Sequence, residues 1–342
     1  KYADPRRTKI VNNPGDIDIE DLIEDEVNVI TLTHRNYVKR TPLDTYKSQN
    51  RGGKGIIGMQ TRDEDFIKDL FVSSTHDTML FFTNMGRVYK LKGYEIPEAG
   101  RTARGTAIVN LLEIQPEEKI NAIIPVREFS PDTYLVMITK EGVIKKTDMM
   151  SYSNIRKGGL NAVNLRDDDQ LISVMVTDGK KEIFVATHDG MGIKFDENDV
   201  RPMGRTATGV RAIKLRENDY VVSAGVVDES LKVLNVTENG FGKRTDVSEF
   251  NLQKRGGMGV KIHNITDKTG KINGTLMVGE DEEIMIITSE GIIIRLRVND
   301  ISCIGRTSQG VKLINLDEGV KVAGIAKIAA DQIESEEETE EE

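Results

Sequence analysis

Six segments of the chain share one order of apolar and polar positions. Each begins with an apolar run, turns within a few residues and returns along a run with Lys or Arg: VNVITLTHRNYVKR, MLFFTNMGRVYKL, YLVMITKEGVIKK, EIFVATHDGMGIKF, LKVLNVTENGFGKR and EIMIITSEGIIIRL. The turn residue is Gly or Asn, at Asn36, Gly86, Gly142, Gly190, Gly240 and Gly291. Both residues tolerate the positive φ of hairpin turns, and their spacing of roughly 48 to 56 residues is that of a propeller blade. The pattern predicts six β-hairpins.

Two further strands are predicted in every repeat. Fifteen to twenty residues after the turn, a loop of small and basic residues ends in Gly or Asn and is followed by apolar residues: Ile56-Ile57, Ile108-Val109, Val163, Val210, Val260 and Val311. A later apolar run predicts the last strand, at residues 70–72, 122–124, 172–176, 221–222, 276–278 and 322–325. Each repeat is therefore read as a four-stranded unit.

Radial closure of six such units leaves only short, protected sheet edges, and an open solenoid is the alternative. The sequence thus predicts an all-β, propeller-like disc, closed or slightly spiral, over residues 29–330, with blades starting near 29, 79, 134, 182, 231 and 283. Residues 1–28 are predicted to be a lead-in, and residues 331–342 a disordered acidic tail. The pattern leaves open whether each sheet forms within one repeat or exchanges a strand with its neighbour.

The distribution of charge changes what the net charge implies. A net charge of -9 argues against a nucleic-acid partner. However, eight acids lie in residues 331–342 and seven in residues 16–26, with no base in either segment, so the remainder is net basic. One cysteine, Cys303, excludes an internal disulfide, and no apolar run is long enough to span a bilayer. We expect a cytoplasmic protein without membrane contact.

The six loops are of two alternating kinds. The odd loops, of repeats one, three and five, read QNRGGKG (49–55), IRKGGLN (155–161) and QKRGGMG (253–259). The even loops read GRTARG (100–105), GRTATG (204–209) and GRTSQG (305–310). Glycine lets backbone N–H groups approach a phosphate, and Lys or Arg displaces condensed counterions. Repeated around a rim, these loops predict contacts with a bent nucleic-acid backbone and little reading of base edges.

Other chemistry is disfavoured. Residues 53–58 match G-x-G-x-x-G, but no helix pattern follows, and Lys54 lacks the spacing of a Walker lysine. The histidines fall in different repeats, at His34, His76, His188 and His263. Acidic runs such as 63–65 and 167–169 lie in charged loops. Neither a metal site nor a catalytic centre is predicted.

The loop at 49–55 resembles the box Q-R-R-G-G-K-G of the C-terminal domains of bacterial DNA gyrase A subunits, at six of seven positions. Asn50 replaces the second residue and removes one cation. The segments 31–34, 64–67, 86–89 and 97–99 are also similar to that family, and the likeness covers essentially the whole chain. The resemblance implies a six-bladed β-pinwheel, whose blades exchange strands and around whose basic perimeter DNA is wrapped.

The resemblance also implies what the chain works with. The intact ATP-dependent enzyme introduces negative supercoils, and the partners are duplex DNA, the rest of the gyrase A subunit, plus the gyrase B subunit in an A2B2 heterotetramer. The catalytic tyrosine, ATP and Mg belong to other parts of that enzyme, so we expect no cofactor and no catalytic residue here, and an isolated domain that is monomeric. Residues 1–28 would connect to the cleavage core, and the acidic tail would compete with DNA for the rim.

The predicted DNA contacts combine the box, the cations of the other loops and the basic residues of the hairpins. They are Gln49, Arg51, Gly52, Gly53, Lys54, Gly55, Arg35, Lys39, Arg40, Lys47, Arg87, Lys90, Arg101, Arg104, Arg156, Lys157, Arg205, Lys243, Arg244, Lys254, Arg255 and Arg306. Two alternatives remain: the corresponding domain of the topoisomerase IV A subunit, which the near-complete box disfavours, and a protein-interaction propeller, which would show apolar or aromatic loop tips.

Overall fold

The computed structural model describes residues 19–33, 35–45, 56–57, 67–100, 102–116 and 118–328. In these residues the regular structure consists of β-strands and short 3-10 helices. The first strands of the six repeats are β1 (Val27–Thr33), β5 (Thr78–Thr83), β9 (Tyr134–Thr139), β13 (Glu182–Thr187), β17 (Lys232–Thr237) and β21 (Glu283–Thr288). The second strands are β2 (Tyr37–Pro42), β6 (Arg87–Lys92), β10 (Val143–Asp148), β14 (Met191–Asp196), β18 (Phe241–Asp246) and β22 (Ile292–Arg297).

The third strands are only two residues long, and the fourth strands are long and apolar. The third strands are β3 (Ile56–Ile57), β7 (Thr106–Ala107), β11 (Leu160–Asn161), β15 (Val210–Arg211), β19 (Val260–Lys261) and β23 (Val311–Lys312). The fourth strands are β4 (Ile67–Ser74), β8 (Ile120–Val126), β12 (Leu171–Thr177), β16 (Val221–Val227), β20 (Ile272–Val278) and β24 (Val322–Ile328).

Short 3-10 helices follow the second strand of each repeat and also occur at two other places. They span Ile19–Leu22, Leu43–Thr45, Gly93–Glu95, Ile108–Asn110, Met149–Tyr152, Glu197–Asp199, Val247–Glu249 and Val298–Asp300. In repeats three, four and five the residue before the helix is an aspartate, whose carboxylate accepts a hydrogen bond from the backbone N–H two residues later. These aspartates are Asp148, Asp196 and Asp246. The bond is the usual N-cap bond, and it marks the end of the second strand in these three repeats.

The turn residues predicted from the sequence are confirmed. Asn36 has φ 60°, and the five turn glycines have φ between 72° and 79°. In each hairpin the residue before β2 or its equivalent donates its N–H back to the last residue of the first strand, as Gly240 does to Thr237 at 3.0 Å. Glycine adopts this conformation without strain, and asparagine does so at a modest cost.

Strand exchange settles the question that the sequence left open. In each four-stranded sheet the order is fourth, first and second strand of one repeat, followed by the third strand of the next repeat. The first sheet, for example, has the order β4-β1-β2-β7. We call these sheets blades one to six, numbered by their first strands. The third strand is the outermost strand of every blade, because the fourth strands β8, β12, β16, β20, β24 and β4 pack successively against each other around the centre.

The ring closes between repeats six and one. Ile292 pairs with Ile57 and Ile293 with Ile56, so β3 of the first repeat completes blade six. The fourth strands β24 and β4 pack together at the same junction. The fold is therefore a six-bladed β-propeller, as the sequence pattern predicted, and its outer strands are exchanged between neighbouring repeats, as the resemblance implied.

The hydrophobic core lies between the blades. Within the described residues, buried clusters join blades one to six in succession; one of them packs Ile138 and Ile144 of blade three against Val185 and Phe195 of blade four. Both faces of each sheet are covered, which explains why strands such as β9 and β21 are buried at nearly every position rather than at alternate ones.

The acidic lead-in contacts blades one and two where it is described. Asp25 accepts a hydrogen bond from Arg127 Nη2 at 2.6 Å, Glu20 pairs with Lys92 at 2.7 Å, and Glu24 O accepts from Thr75 Oγ1 at 2.7 Å. The bond from Arg127 lowers the pKa of Asp25 to about 2. These contacts connect the end of β4 with the end of β8. Residues 1–18 and the predicted tail at 331–342 lie outside the described residues, so the boundaries proposed there stay predictions.

Candidate nucleic-acid interface

The five loops that the structure describes lie on the perimeter, because each directly precedes an outermost strand. The chain reaches that edge along the second strand of the preceding blade, through single parallel bridges such as Lys194 to Leu252 and Arg244 to Cys303. A loop of one repeat therefore rests on the blade of the repeat before it. The box at 49–55, together with Lys47 and Arg101, falls outside the described residues.

The loop at 253–259 shows how a box-like sequence is held. Gln253 N–H donates to Lys194 O at 2.8 Å, and Gly256 N–H donates to Ala212 O at 2.6 Å. Arg255 donates from Nε to Asp199 O at 2.9 Å and from Nη1 to Arg211 O at 3.0 Å. The guanidinium therefore ties the loop to the preceding repeat, and only part of its donor set remains for an external anion.

Lys254 is the most outward cation of that loop. Its side chain is 90% exposed, and its ammonium lies 2.8 Å from Asp199 Oδ1. An ion pair this exposed contributes little to stability, so the ammonium is available to a competing phosphate. In the loop at 155–161, Arg156 and Lys157 are both exposed, and Gly159 N–H donates to Arg156 O at 2.8 Å.

The even loops share one turn. In each of them the N–H of the fourth residue donates to the carbonyl oxygen of the first glycine. The distances are 3.0 Å for Ala103, 3.1 Å for Ala207 and 3.1 Å for Ser308. The glycine that ends each loop meets the second strand of the preceding blade: a Cβ on Gly310 would lie 2.6 Å from Gly242 O. Gly310 has φ +76°, whereas Gly305 at the start of the same loop has no such neighbour, and its nearest atom, in Glu249, lies 3.8 Å away.

Replacing Gly310 by Ala is therefore expected to lower the free energy of unfolding by about 2 kcal/mol, because the new Cβ meets a backbone oxygen in a left-handed conformation. The matched control is Gly305→Ala in the same loop, which is expected to change the stability by less than about 0.5 kcal/mol. Thermal unfolding of both variants checks this. Equal melting temperatures for the two would contradict the assigned close approach.

The predicted site residues do not share one environment. Arg35, Lys90, Arg156, Lys157, Arg205 and Lys254 are exposed, and Arg40, Arg87, Arg104, Arg255 and Arg306 are half-buried. Arg87 lies 3.5 Å from Glu118 Oε1, and Arg104 stacks over the ring of Tyr37 at 3.6 Å. These contacts within the protein occupy part of each guanidinium group.

Lys39, Lys243 and Arg244 are buried. Lys39 Nζ donates to Gly100 O at 3.1 Å, and Lys243 Nζ donates to Arg306 O at 2.7 Å. Arg244 Nε donates to Ile301 O at 2.7 Å. In this packing the three charges face carbonyl oxygens rather than the surface, so any effect on a nucleic acid passes through the loops that they hold.

The DNA contacts predicted from the sequence do not include three exposed cations on the outermost strands. Arg211, Lys261 and Lys312 each occupy the last position of a two-residue third strand, next to the loops at 204–209, 253–259 and 305–310. The signal was present in the sequence as Gly-Val-Arg, Gly-Val-Lys and Gly-Val-Lys, directly after each loop. With Arg205 and Lys254 they place exposed cations on the perimeter of repeats four, five and six.

The described ranges contain no group of three or more His, Cys, Asp or Glu side chains able to hold a metal ion. Nor is any helix of that part of the chain long and apolar enough to cross a membrane. The interface is thus characterised by cations, glycines and hydroxyls at repeated positions.

Comparison with known families agrees with this geometry. The family model described as the DNA gyrase C-terminal domain, a β-propeller, matches residues 28–74, 77–127, 133–178, 181–228, 232–278 and 282–329, one segment for each repeat. The chain belongs to the DNA gyrase C-terminal domain family. The family predicted from the box and the repeat is therefore confirmed.

Individual relatives extend the match. The DNA gyrase A subunit of Clostridium acetobutylicum is 54% identical over 341 residues, and that of Halalkalibacterium halodurans is 56% identical over 344 residues. Each alignment covers 100% of this chain and 41% of the relative, so the chain spans about two fifths of their length. The DNA gyrase A subunit of Staphylococcus aureus is 47% identical over 98% of the chain and 38% of its own length.

Solved structures show the same fold. A structure of a DNA gyrase A C-terminal domain superposes with a TM-score of 0.81 at 28% identity, covering 89% of this chain and 100% of that one. The C-terminal domain of a DNA topoisomerase IV superposes with a TM-score of 0.71 at 29% identity, covering 93% of this chain and 98% of that one.

Proposed function

We propose that the chain bends duplex DNA around its outer rim as the C-terminal domain of a gyrase A subunit. The observation that supports this most directly is the recurrence of exposed cations at equivalent perimeter positions, among them Arg156, Lys157, Arg205 and Lys254. Contacts of this type fix the course of a phosphate backbone and carry no base information, so binding is weakly sequence-specific.

The energetics require several loops at once. Bending a short duplex smoothly costs on the order of 1 to 6 kcal/mol, which one neutralised phosphate does not offset. Cations on consecutive blades each hold the duplex at a different angle, and their combined counterion release offsets the bending free energy. The curvature of the DNA is thus a property of the ring and not of one loop.

The finer mechanism belongs to the same proposal. Bending by this domain would let the intact ATP-dependent enzyme introduce negative supercoils, in the bacterial cytoplasm and together with the gyrase B subunit in an A2B2 assembly. Strand cleavage and ATP hydrolysis would reside elsewhere in that assembly, and this chain would use no cofactor. The similarity to curated gyrase A subunits over the whole chain supports this assignment.

A ligation-topology experiment tests bending directly. Nicked circular DNA is saturated with the chain, sealed by ligase, deproteinised and analysed for linking number. We expect a linking difference that grows with the amount of bound protein, because a bent path traps writhe. Sealed circles with the same distribution as protein-free circles, at saturation confirmed by mobility shift, would contradict the proposal.

The box provides a sharper version of the same experiment. Arg51→Ala with Lys54→Ala removes the two cations of residues 49–55. We expect the linking difference to fall by more than the affinity does, because the remaining loops still bind but hold a shorter arc. Equal proportional losses in affinity and linking difference would show that the box binds without bending.

A further inference from the structure

The strands beneath the two kinds of loop alternate as well. At the third position of the second strand, blades one, three and five have Lys39, Lys145 and Lys243, whereas blades two, four and six have Tyr89, Ile193 and Ile294. Two positions later the odd blades have Thr41, Thr147 and Thr245, and the even blades have Leu91, Phe195 and Leu296. Because each described loop rests on the preceding blade, the even loops lie on lysine strands, and the described odd loops at 155–161 and 253–259 lie on apolar ones.

The three lysines are buried and bound to carbonyls of the even loops. Lys39 and Lys145 are 1% exposed, and Lys243 is 0% exposed. Lys243 Nζ donates to Gly305 O at 2.8 Å, to Arg306 O at 2.7 Å and to Ser308 Oγ at 3.2 Å. An ammonium group has three donors and no acceptor, so this set satisfies it fully.

The other two lysines repeat the arrangement. Lys145 Nζ donates to Ala162 O at 2.5 Å and to Arg205 O, and Lys39 Nζ donates to Gly100 O at 3.1 Å. Two of the three threonines add a second bond at the approach to the loop, from Thr41 Oγ1 to Ala99 O at 2.9 Å and from Thr245 Oγ1 to Ile304 O at 3.0 Å, whereas Thr147 Oγ1 has no such partner.

Carbonyls that face inward turn the next N–H groups outward, because C=O and N–H point in opposite directions across a trans peptide. In the loop at 305–310 one such N–H already binds an anionic group: Arg306 N–H donates to Glu249 Oε2 at 2.9 Å. Glu249 is exposed, so its carboxylate occupies a place that a phosphate oxygen can take.

We propose that Lys39, Lys145 and Lys243 are positioning residues for DNA: each buried ammonium fixes an even loop so that its backbone N–H groups face the phosphate backbone. This inference rests on the proposed function, since it explains how those loops bind DNA. In this proposal the buried lysines act on DNA only through the loop that they hold, whereas the exposed cations contact the phosphate directly.

The protonation of these lysines agrees with that role. Burial, reinforced by Arg205, lowers the pKa of Lys145 to about 8; burial and Arg306 lower the pKa of Lys243 to about 8, and Glu249 opposes this. Of the other groups that face them, Tyr152 has a pKa raised to about 12 by burial, and His263 has a pKa lowered to about 4 by burial and Lys243. Neither changes charge between pH 7 and 9.5.

The signs of the two pH effects are opposite. The folded pKa values of Lys145 and Lys243 lie below the unfolded value of 10.5, so stability rises with pH between about 8 and 10.5. A phosphate beside the loop stabilises the ammonium, so DNA binding takes up protons and weakens as pH rises through 8. Rising stability with falling affinity is a pattern that a merely structural lysine does not produce.

The main experiment uses the whole 342-residue chain with Lys145→Met and Lys243→Met combined. We expect amide exchange in residues 204–209 and 305–310 to accelerate at least tenfold without DNA, and duplex affinity to fall at least fivefold. The charge-matched control, Lys180→Met with Lys271→Met, removes two exposed lysines beside inner strands and is expected to lose less than twofold. Unchanged loop exchange, or equal affinity losses in both pairs, overturns the inference.

A third pair of substitutions separates this inference from the proposed function. Arg205→Ala with Arg306→Ala removes the arginines of the same loops. If the arginine pair weakens DNA binding and the lysine pair does not, the positioning role is wrong and the proposed function stands. If neither pair affects binding although the loops exchange faster, the DNA function itself is wrong.

A measurement on the unaltered chain covers the case in which the lysine pair fails to fold. Duplex affinity and melting temperature are measured from pH 7 to 9.5 at constant salt. We expect affinity to fall several-fold while the melting temperature holds or rises. An affinity that is flat over this range overturns the inference.

Discussion

Replacing Glu197 by Gln is expected to lower the free energy of unfolding by about 3 to 5 kcal/mol, as breaking a buried ion pair typically does. Glu197 Oε2 lies 2.8 Å from Lys146 Nζ, and the two side chains are 1% and 3% exposed. The carboxylate also accepts from Thr177 Oγ1 at 2.8 Å and from Lys181 N–H at 2.6 Å. Gln keeps the shape but leaves the ammonium of Lys146 without a counter-charge. Urea-induced unfolding measures the loss.

A cross-strand pair in the neighbouring sheet is the matched control. Lys194 Nζ lies 3.1 Å from Glu182 Oε2, but Glu182 is 36% exposed. Glu182→Gln is therefore expected to cost less than about 1 kcal/mol. The double substitution Lys146→Met with Glu197→Gln should be more stable than Glu197→Gln alone, because it removes the uncompensated charge. Additive losses in the double variant would show that the ion pair is not the source of the effect.

The pair matters for the interface because it joins two blades. Lys146 belongs to β10 in blade three, and Glu197 begins the 3-10 helix after β14 in blade four. The loop at 204–209 follows that helix, and Met203 N–H donates to Lys146 O at 2.8 Å. Arg40 and Glu98, 3.0 Å apart, also connect repeats one and two, but Glu98 is 53% exposed. The buried pair of Lys146 and Glu197 therefore helps to fix the approach to the loop at 204–209.

The repeat, the turns and the outward position of the loops could be predicted from the sequence because they depend on local patterns. Glycine at a positive φ and an apolar strand on either side leave few alternatives to a hairpin. The exchange of the third strand could not be predicted in the same way. A two-residue strand such as Val260–Lys261 has equal local preference for its own repeat and for the preceding one, and the choice is made by the ring as a whole.

The burial of the strand lysines was the least accessible feature. Lysine is rarely fully buried without partners, so the sequence alone favours a surface position for Lys39 and Lys243. Their acceptors lie about 60 residues away in another repeat, at Gly100 and Gly305. A comparison of the second strands would have revealed the signal, since Lys-basic-Thr occurs only in repeats one, three and five.

Removing four exposed loop cations together is expected to produce the largest change in DNA binding. Arg156, Lys157, Arg205 and Lys254 lie on three perimeter loops, and none is buried. Each lost phosphate contact reduces the salt slope by about 0.9, so the quadruple Ala variant should lose about 3 to 4 from the slope of log affinity against log salt concentration. At 0.1 M salt this corresponds to about a thousandfold weaker binding. Anisotropy titrations over a salt series measure both quantities.

The control removes the same number of charges near the centre of the ring. Lys119, Lys180, Lys271 and Lys321 are exposed and lie beside the inner strands β8, β12, β20 and β24. If attraction to DNA came only from net charge, both quadruple variants would lose affinity and slope equally. If the phosphates follow the perimeter, the control keeps most of its slope, because counterions are released only where cations meet the DNA. The difference between the two slopes therefore counts the phosphate contacts made by the rim, and a difference near zero would place the DNA elsewhere on the molecule.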